Sequence, residues 1–375
     1  MNFRQDINAL RAFAILAVVL YHFKLPFFNA GFIGVDVFFV ISGFLMTKII
    51  YEKYINNNFS IFGFYLDRAY RIIPALLALL VFMMIFGWFV LFPLEYKELS
   101  KEIISAILFA SNLLFFKQSG YFDAGAEELY LLHTWSLAVE WQFYIIYPIL
   151  VILFLKFFYI KFLRYVLLSL FIISLLLSIF LTSKYPSASF YLLPTRAWEL
   201  LAGAMIYFFP INIKIKNKYK IQLIGLLVII ISLIFLNNKL FWPSYWAILP
   251  VLGSYLFIIA NYQEGLLSNN KILQFLGNTS YSIYLWHWPI FIWFNMNLWL
   301  NSFEFVIFGI VLSILFGWVS TITIEKYFLN IKRRNTSKLK LSMYLILLCS
   351  LILPSIYIYK NNGIESNIRT INSQY

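Results

Sequence analysis

Eleven apolar stretches follow one another along this chain, near residues 7–23, 31–50, 72–94, 134–157, 164–182, 196–209, 221–236, 245–260, 279–296, 303–324 and 341–359. Each is near or above the length that crosses the hydrocarbon core of a bilayer. Hydrocarbon offers a backbone amide no hydrogen-bond partner, so such segments must be helices or the strands of a closed barrel. Runs this long, without strict alternation of polar and apolar residues, read as helices. The expected fold is therefore all-α and polytopic. Only 12% of the residues are charged, against about 25% in a soluble domain. Several stretches are short, and the 11 Trp and 26 Tyr supply the aromatic flanks that would complete the crossing. A further segment, 103–116, reads as interfacial or re-entrant. No tandem or inverted repeat is visible, and no stretch reads as a soluble domain.

Lys and Arg in the loops give the orientation. With the N-terminus in the cytoplasm, 19 of the 29 fall in inner loops and 8 in outer ones, the remaining two, Arg11 and Arg196, lying inside spans. The asymmetry holds loop by loop and predicts an odd number of crossings, with the C-terminus outside. A net charge of +13 would point to nucleic acid in a soluble protein; distributed this way, it predicts a membrane lipid surface and no nucleic-acid partner. The first apolar span lacks an A-x-A cleavage site, so no removable signal peptide is expected. The single cysteine, Cys349, permits neither an internal disulfide nor a cysteine metal site. The chain divides into a membrane domain over 1–330 and, over 331–375, an inner basic loop, an eleventh helix and a short extracytoplasmic tail.

Polar residues inside the spans are the candidates for function, because a buried ionisable group costs about 2.5–3.5 kcal/mol at a helix centre on insertion scales. Arg11 and His22 stand eleven residues apart, on one helix face to within about 20° and roughly 16 Å apart along the axis. Asp36 lies in the next span. Arg68 and Arg71 form an i,i+3 pair at a cytoplasmic helix start, suited to phosphates. His133 and Glu140, seven apart, share a face near the outer side. Arg196 and Glu199, at i,i+3, are placed to satisfy each other. His287 sits mid-helix among tryptophans, deeper than His22 and His133, and no metal site is expected from the three. His22 is a candidate base, with Asp36 or Glu140 to orient it as a carboxylate orients histidine in hydrolase triads. An outer base and inner cations suggest a long anionic donor threaded between them, and the Arg11–His22 interval is about the reach of a pantetheine arm. No Gly-rich phosphate loop, HExxH or GxSxG motif is present.

In these residues the chain resembles the integral-membrane acyltransferase family 3, which includes O-antigen and peptidoglycan O-acetylases. The matching motifs are Arg-x10-His at Arg11 and His22, GVDVFFVISGFL (34–45), Arg68-x-x-Arg71 with Ile72 and Pro74, LHTWSLAVE (132–140) with QFY (142–144), TRAWELLAG (195–203) and SYSIYLWHWP (280–289). The resemblance implies ten core helices, often with an eleventh. It also implies transfer of an acyl group, commonly acetyl, from cytoplasmic acyl-CoA to a hydroxyl of an extracytoplasmic polysaccharide or glycolipid in the bacterial inner membrane. By that likeness His22 is the base or acyl relay, with Glu140 and Asp36 in support. Arg11, Arg68 and Arg71 hold the donor, and His133, Trp135, Arg196, Glu199 and His287 bind substrate.

The chain departs from the family pattern at several points. Asn8-Ala9 stands where Asp-Gly is usual, Asp67 and Tyr70 where arginines are common, and Trp141 where a second glutamate is frequent, and the proline expected after Glu325 is missing. One branch of the family continues past its eleventh helix into an SGNH-type esterase domain. Here KNNGIESNIRTINSQY (360–375) looks like the beginning of such a linker, which leaves a truncated product, action alone, or a separate SGNH-type partner. A polytopic transporter or flippase of glycan or lipid intermediates is the competing reading, since transporters also place charge midway in helices. Inner and outer groups of different kind favour the enzyme.

Overall fold

The computed structural model describes residues 3–118, 124–333 and 337–364, and among these there is helix but no strand. Each of the eleven apolar stretches is occupied by a helix: α1 Gln5–His22, α2 Ile33–Ile55, α3 Ile61–Val90, α6 Thr134–Phe157, α7 Ile160–Thr182, α9 Leu193–Phe208, α10 Ile215–Phe235, α11 Ile248–Ala260, α13 Lys271–Met296, α14 Phe303–Ser320 and α16 Ser337–Lys360. Between them lie α4 Pro93–Ile107, α5 Ser111–Gln118, α8 Pro186–Tyr191, α12 Leu266–Asn269 and α15 Lys326–Arg333. Among the described residues, six helices are long and apolar enough to cross a membrane: α2, α3, α6, α7, α10 and the continuous run Phe303–Asn330. The segment expected to be interfacial or re-entrant, 103–116, is the end of α4, a turn, and most of α5.

Apolarity marks the spans but not their inner ends. Helix α3 starts eleven residues before the apolar run, at Ile61, where the Ser60 hydroxyl accepts from the Gly63 amide at 3.2 Å. Arg68 and Arg71 therefore stand two to three turns inside the helix, not at its start. Where the proline expected after Glu325 is missing, a π-helical turn, Thr321–Glu325, leads the chain on into α15. Such turns insert one residue and re-aim a side chain.

Glycines set the closest helix contacts. A Cβ on Gly43 of α2 would stand 1.7 Å from the Leu200 carbonyl oxygen of α9, and one on Gly203 of α9 would stand 2.1 Å from the Val40 carbonyl oxygen of α2. Small residues at such crossings let backbones touch, the usual basis of helix association in lipid. Helix α1 meets α13 in the same way: Gly277 packs on the Asn8 carbonyl, which a Cβ would approach to 2.0 Å. The Asn8 amide donates to the carbonyl and the side-chain oxygen of Gln274, both at 2.9 Å. A carboxylate in that position has no hydrogen to donate, so the Asn found here belongs to the α1–α13 seam.

Contacts between connecting segments sort into two ends. Lys24 pairs with Glu127 at 3.1 Å, Ala30 N–H donates to the Leu233 carbonyl, and Lys97 donates to Asn362 at 2.7 Å. At the other end Arg4 donates to the Ile258 carbonyl at 2.8 Å, Lys53 pairs with Asp67 at 3.1 Å, and Tyr54 donates to the Leu155 carbonyl. Each pair joins segments that the loop charges assign to the same side.

Candidate active site

A cleft in the interior is lined from α1, α2, α3, α6 and α13. It encloses about 840 Å³ between its walls, open mouth included. Arg11, Arg68, Arg71, Ser42, Glu140 and Tyr144 line it together, and Ser136 and Tyr284 line the end next to His133. Leu45, Met46, Phe38, Phe39 and Leu137 supply apolar wall.

Glu140 is held by two hydroxyls. Tyr144, one turn further along α6, donates to it at 2.5 Å, and Ser42 of α2 donates to the same oxygen. Arg11 and Arg68 both sense this carboxylate and both face Arg71. Glu325, aimed inward by the π turn, accepts from Ser282 at 2.5 Å and from Thr321 at 3.1 Å, and its charge also reaches Arg11. Asp67 pairs with Lys53 and its charge also reaches Arg68. Three guanidinium groups and Lys53 thus share three carboxylates, and the buried Nε of Arg68 has no hydrogen-bond partner among the described residues. Such a site favours an anion, since buried cations left without counter-charge are costly.

All three histidines stand together beyond Ser136 and Tyr284. His22 Nδ1 lies 3.1 Å from His287 Nε2, and the rings stack with centroids 5.1 Å apart. His287 Nδ1 lies 2.6 Å from the Tyr284 carbonyl oxygen. The His133 ring meets His287 edge-on at 5.9 Å, and its nitrogens make no well-formed hydrogen bond among the described residues. His133 faces the Leu285 carbonyl, which Pro289 leaves without its i+4 amide. The Tyr284 hydroxyl donates to the His133 carbonyl at 2.8 Å and bonds Ser136 Oγ at 2.7 Å. One tyrosine thus separates the cleft from the histidines. His22 itself is not part of the cleft wall.

The sequence expectation that His287 lies deeper than the other two is corrected here, for it touches His22. The expected orienting carboxylates are also elsewhere. Asp36 is ion-paired to Arg196 at 3.1 Å, and Arg196 to Glu199 at 3.0 Å, all three fully buried. The guanidinium carbon of Arg196 lies over the rings of Phe39, Trp135 and Phe190 at 5.5, 5.5 and 5.6 Å. Asp36, Arg196, Glu199 and Trp135, expected at the reacting or substrate-binding groups, form instead a closed cluster between α2, α6 and α9, and none of them lines the cleft. Glu140 does line it, with the arginines, rather than orienting His22. Trp141, in place of a second acid, stacks on Phe109 at 4.5 Å.

Ser42, Tyr144, Tyr284 and Glu325 were not singled out by sequence reasoning. Tyr144 stands at i+4 from Glu140 and Tyr284 at i−3 from His287, the spacings of same-face neighbours on a helix. Those spacings were the available signal. Ser42 lies inside the GVDVFFVISGFL stretch (34–45) with no charge or spacing of its own to mark it, and the aim of Glu325 depends on the π turn.

The fold and the site define a class: a helical membrane protein with a cationic cleft that ends at buried imidazoles. The model of the acyltransferase domain, of the Acyl_transf_3 type, matches residues 4–322, and the chain belongs to that family. Similar proteins include the peptidoglycan O-acetyltransferase OatA of Listeria monocytogenes, 32% identical over 76% of this chain and 49% of its own length. The putative peptidoglycan O-acetyltransferase YrhL of Bacillus subtilis is 31% identical over 76% of this chain and 48% of its own, and the O-acetyltransferase OatA of Staphylococcus aureus 31% over 77% and 51%. The chain spans about half the length of the curated relatives it matches. No solved structure matches it.

Proposed function

We propose that the protein is an O-acetyltransferase that carries an acetyl group across the bacterial cell membrane, from acyl-CoA on the cytoplasmic side to a hydroxyl of a wall or surface glycan outside. The observation that carries the reading is one cleft that gathers three guanidinium groups, with the histidine cluster beyond Ser136 and Tyr284. Arg11, Arg68 and Arg71 hold the phosphates of the donor, as charge-assisted pairs suit. The thioester arm extends past Ser136 and Tyr284 toward His22, about 16 Å from Arg11 along α1. His22 takes the proton of the acceptor hydroxyl, the oxygen forms its bond to the acyl carbon, and the carbon–sulfur bond breaks. The proton then passes from His22 to the departing thiolate, which remains inside as CoA. No metal is needed for this sequence. The names of the relatives point to peptidoglycan as the acceptor. In this reading the eleven helices each cross the membrane, with the N-terminus in the cytoplasm.

The test is the base-labile acetate of purified wall glycan from cells that carry the gene, lack it, or carry His22→Ala. The gene raises the acetate content, and the His22→Ala protein accumulates to the same level without raising it. Acetate restored fully by His22→Ala would remove the base from the mechanism.

A further inference from the structure

The histidine pair fixes more than a contact, because hydrogen-bond direction can be read through it. An uncharged imidazole has one N–H and one lone pair. The Tyr284 carbonyl oxygen can only accept, and it lies 2.6 Å from His287 Nδ1. That nitrogen therefore carries the hydrogen, and His287 Nε2 carries the lone pair. The atom facing this lone pair at 3.1 Å is His22 Nδ1, which must then donate, and the Val18 carbonyl one turn back on α1 is a second acceptor for the His22 ring. The lone pair of His22 is left on Nε2.

The two rings are also held against turning. His22 is boxed by Tyr21, Trp288 and Phe291, with ring centroids at 5.1, 4.8 and 5.9 Å. Trp288 is itself tied by its indole N–H to the Leu129 carbonyl at 2.8 Å. His287 is fully buried on the same helix. The carboxylates that would do the orienting in a hydrolase triad are committed elsewhere, Asp36 to Arg196 and Glu140 to Ser42 and Tyr144.

We propose that His287 is a positioning residue for acyl transfer, accepting the Nδ1 hydrogen of His22 so that Nε2 of His22 is the reacting nitrogen. The inference rests on the proposed reading of His22 as the base. When Nε2 takes the hydroxyl proton, the charge formed on the His22 ring strengthens the Nδ1–H bond to His287. When that proton moves on to the departing sulfur, the pair returns to its starting tautomers. His287 gains and loses no proton, and it touches neither substrate.

Four variants test this in membranes supplied with acetyl-CoA and peptidoglycan fragments, with folded yield checked by size exclusion in detergent. His287→Gln places an amide oxygen near the position of Nε2 and retains kcat to within about tenfold. His287→Leu removes the side-chain acceptor, leaving only the Val18 carbonyl, and loses about a hundredfold in kcat, while KM for acetyl-CoA changes less than about twofold. His287→Asn, whose shorter amide reaches the Tyr284 carbonyl but not the His22 ring, falls with His287→Leu, and it decides the matter should the leucine variant not fold. The double variant His22→Ala with His287→Asn is no slower than His22→Ala alone, as expected for residues acting as one unit. Gln and Asn variants of equal activity, or a loss confined to KM, or a double variant slower than His22→Ala, would overturn the role of His287 while leaving His22 as the base. An active His22→Ala enzyme would instead overturn the reading on which it rests.

Discussion

Glu102 shows how one buried carboxyl ties an outer helix to the histidines. It lies on α4, outside the spanning segments, and is almost completely enclosed, at 1% exposure. The Leu131 amide donates to it at 2.6 Å, two residues before His133. Burial raises its carboxyl from the ordinary value near 4.5 to about 8. The folded protein therefore holds this proton more tightly than the unfolded chain does. The stabilisation is complete below about pH 4, is lost as pH rises toward 8, and changes little above it. Melting temperature should fall between pH 5 and pH 8 more steeply for the native protein than for Glu102→Gln, which cannot ionise. Equal slopes for the two would show that the carboxyl is not buried as described.

At the scale of elements, the active centre depends on how α1 and α13 meet. Their seam is set at the inner end by Gly277 against the Asn8 carbonyl, and at the outer end it carries His22 against His287. A Cβ at 277 would lie 2.0 Å from backbone oxygen, so the helices must separate. Gly277→Ala should destabilise the detergent-solubilised protein by about 1–3 kcal/mol, the range for overpacking. It should also lower acyl transfer although it stands ten residues from His287. Unchanged melting temperature and activity would mean that the seam tolerates displacement.

The same seam explains what the sequence reveals and what it hides. The spans are legible because bilayer thickness imposes a length and apolarity that no neighbour can override. Their inner ends are less so, since α3 and α13 begin several residues before their apolar runs, in stretches where polar and charged residues interrupt the apolar ones. Arg11, Arg68, Arg71 and Glu140 were each recognisable as candidates because each is costly in hydrocarbon, but that Glu140 stands with the arginines rather than with His22 was not. The contact of His22 with His287 was not, because 265 residues separate them and helix packing alone decides which faces meet. Asp36 misled for the same reason. Its sequence neighbour is the His22 helix, whereas its partner, Arg196, arrives on α9 through the Gly43–Gly203 crossing.

For the whole molecule the central claim is that donor and acceptor never share a compartment. In the proposed orientation, drawn from the loop charges, the arginine end of the cleft lies inside and the histidines near the outer face. The account therefore assigns acyl-CoA to one side and the acylated product to the other. The direct measurement uses proteoliposomes of uniform, verified orientation, with acetyl-CoA and a peptidoglycan fragment supplied on chosen sides. Acetylated fragment should form outside only when acetyl-CoA is on the cytoplasmic side, with free CoA collecting beside the donor. Equal turnover when both reactants are supplied only at the outer face would contradict the account, and the Arg11–His22 interval would then have no part in the mechanism.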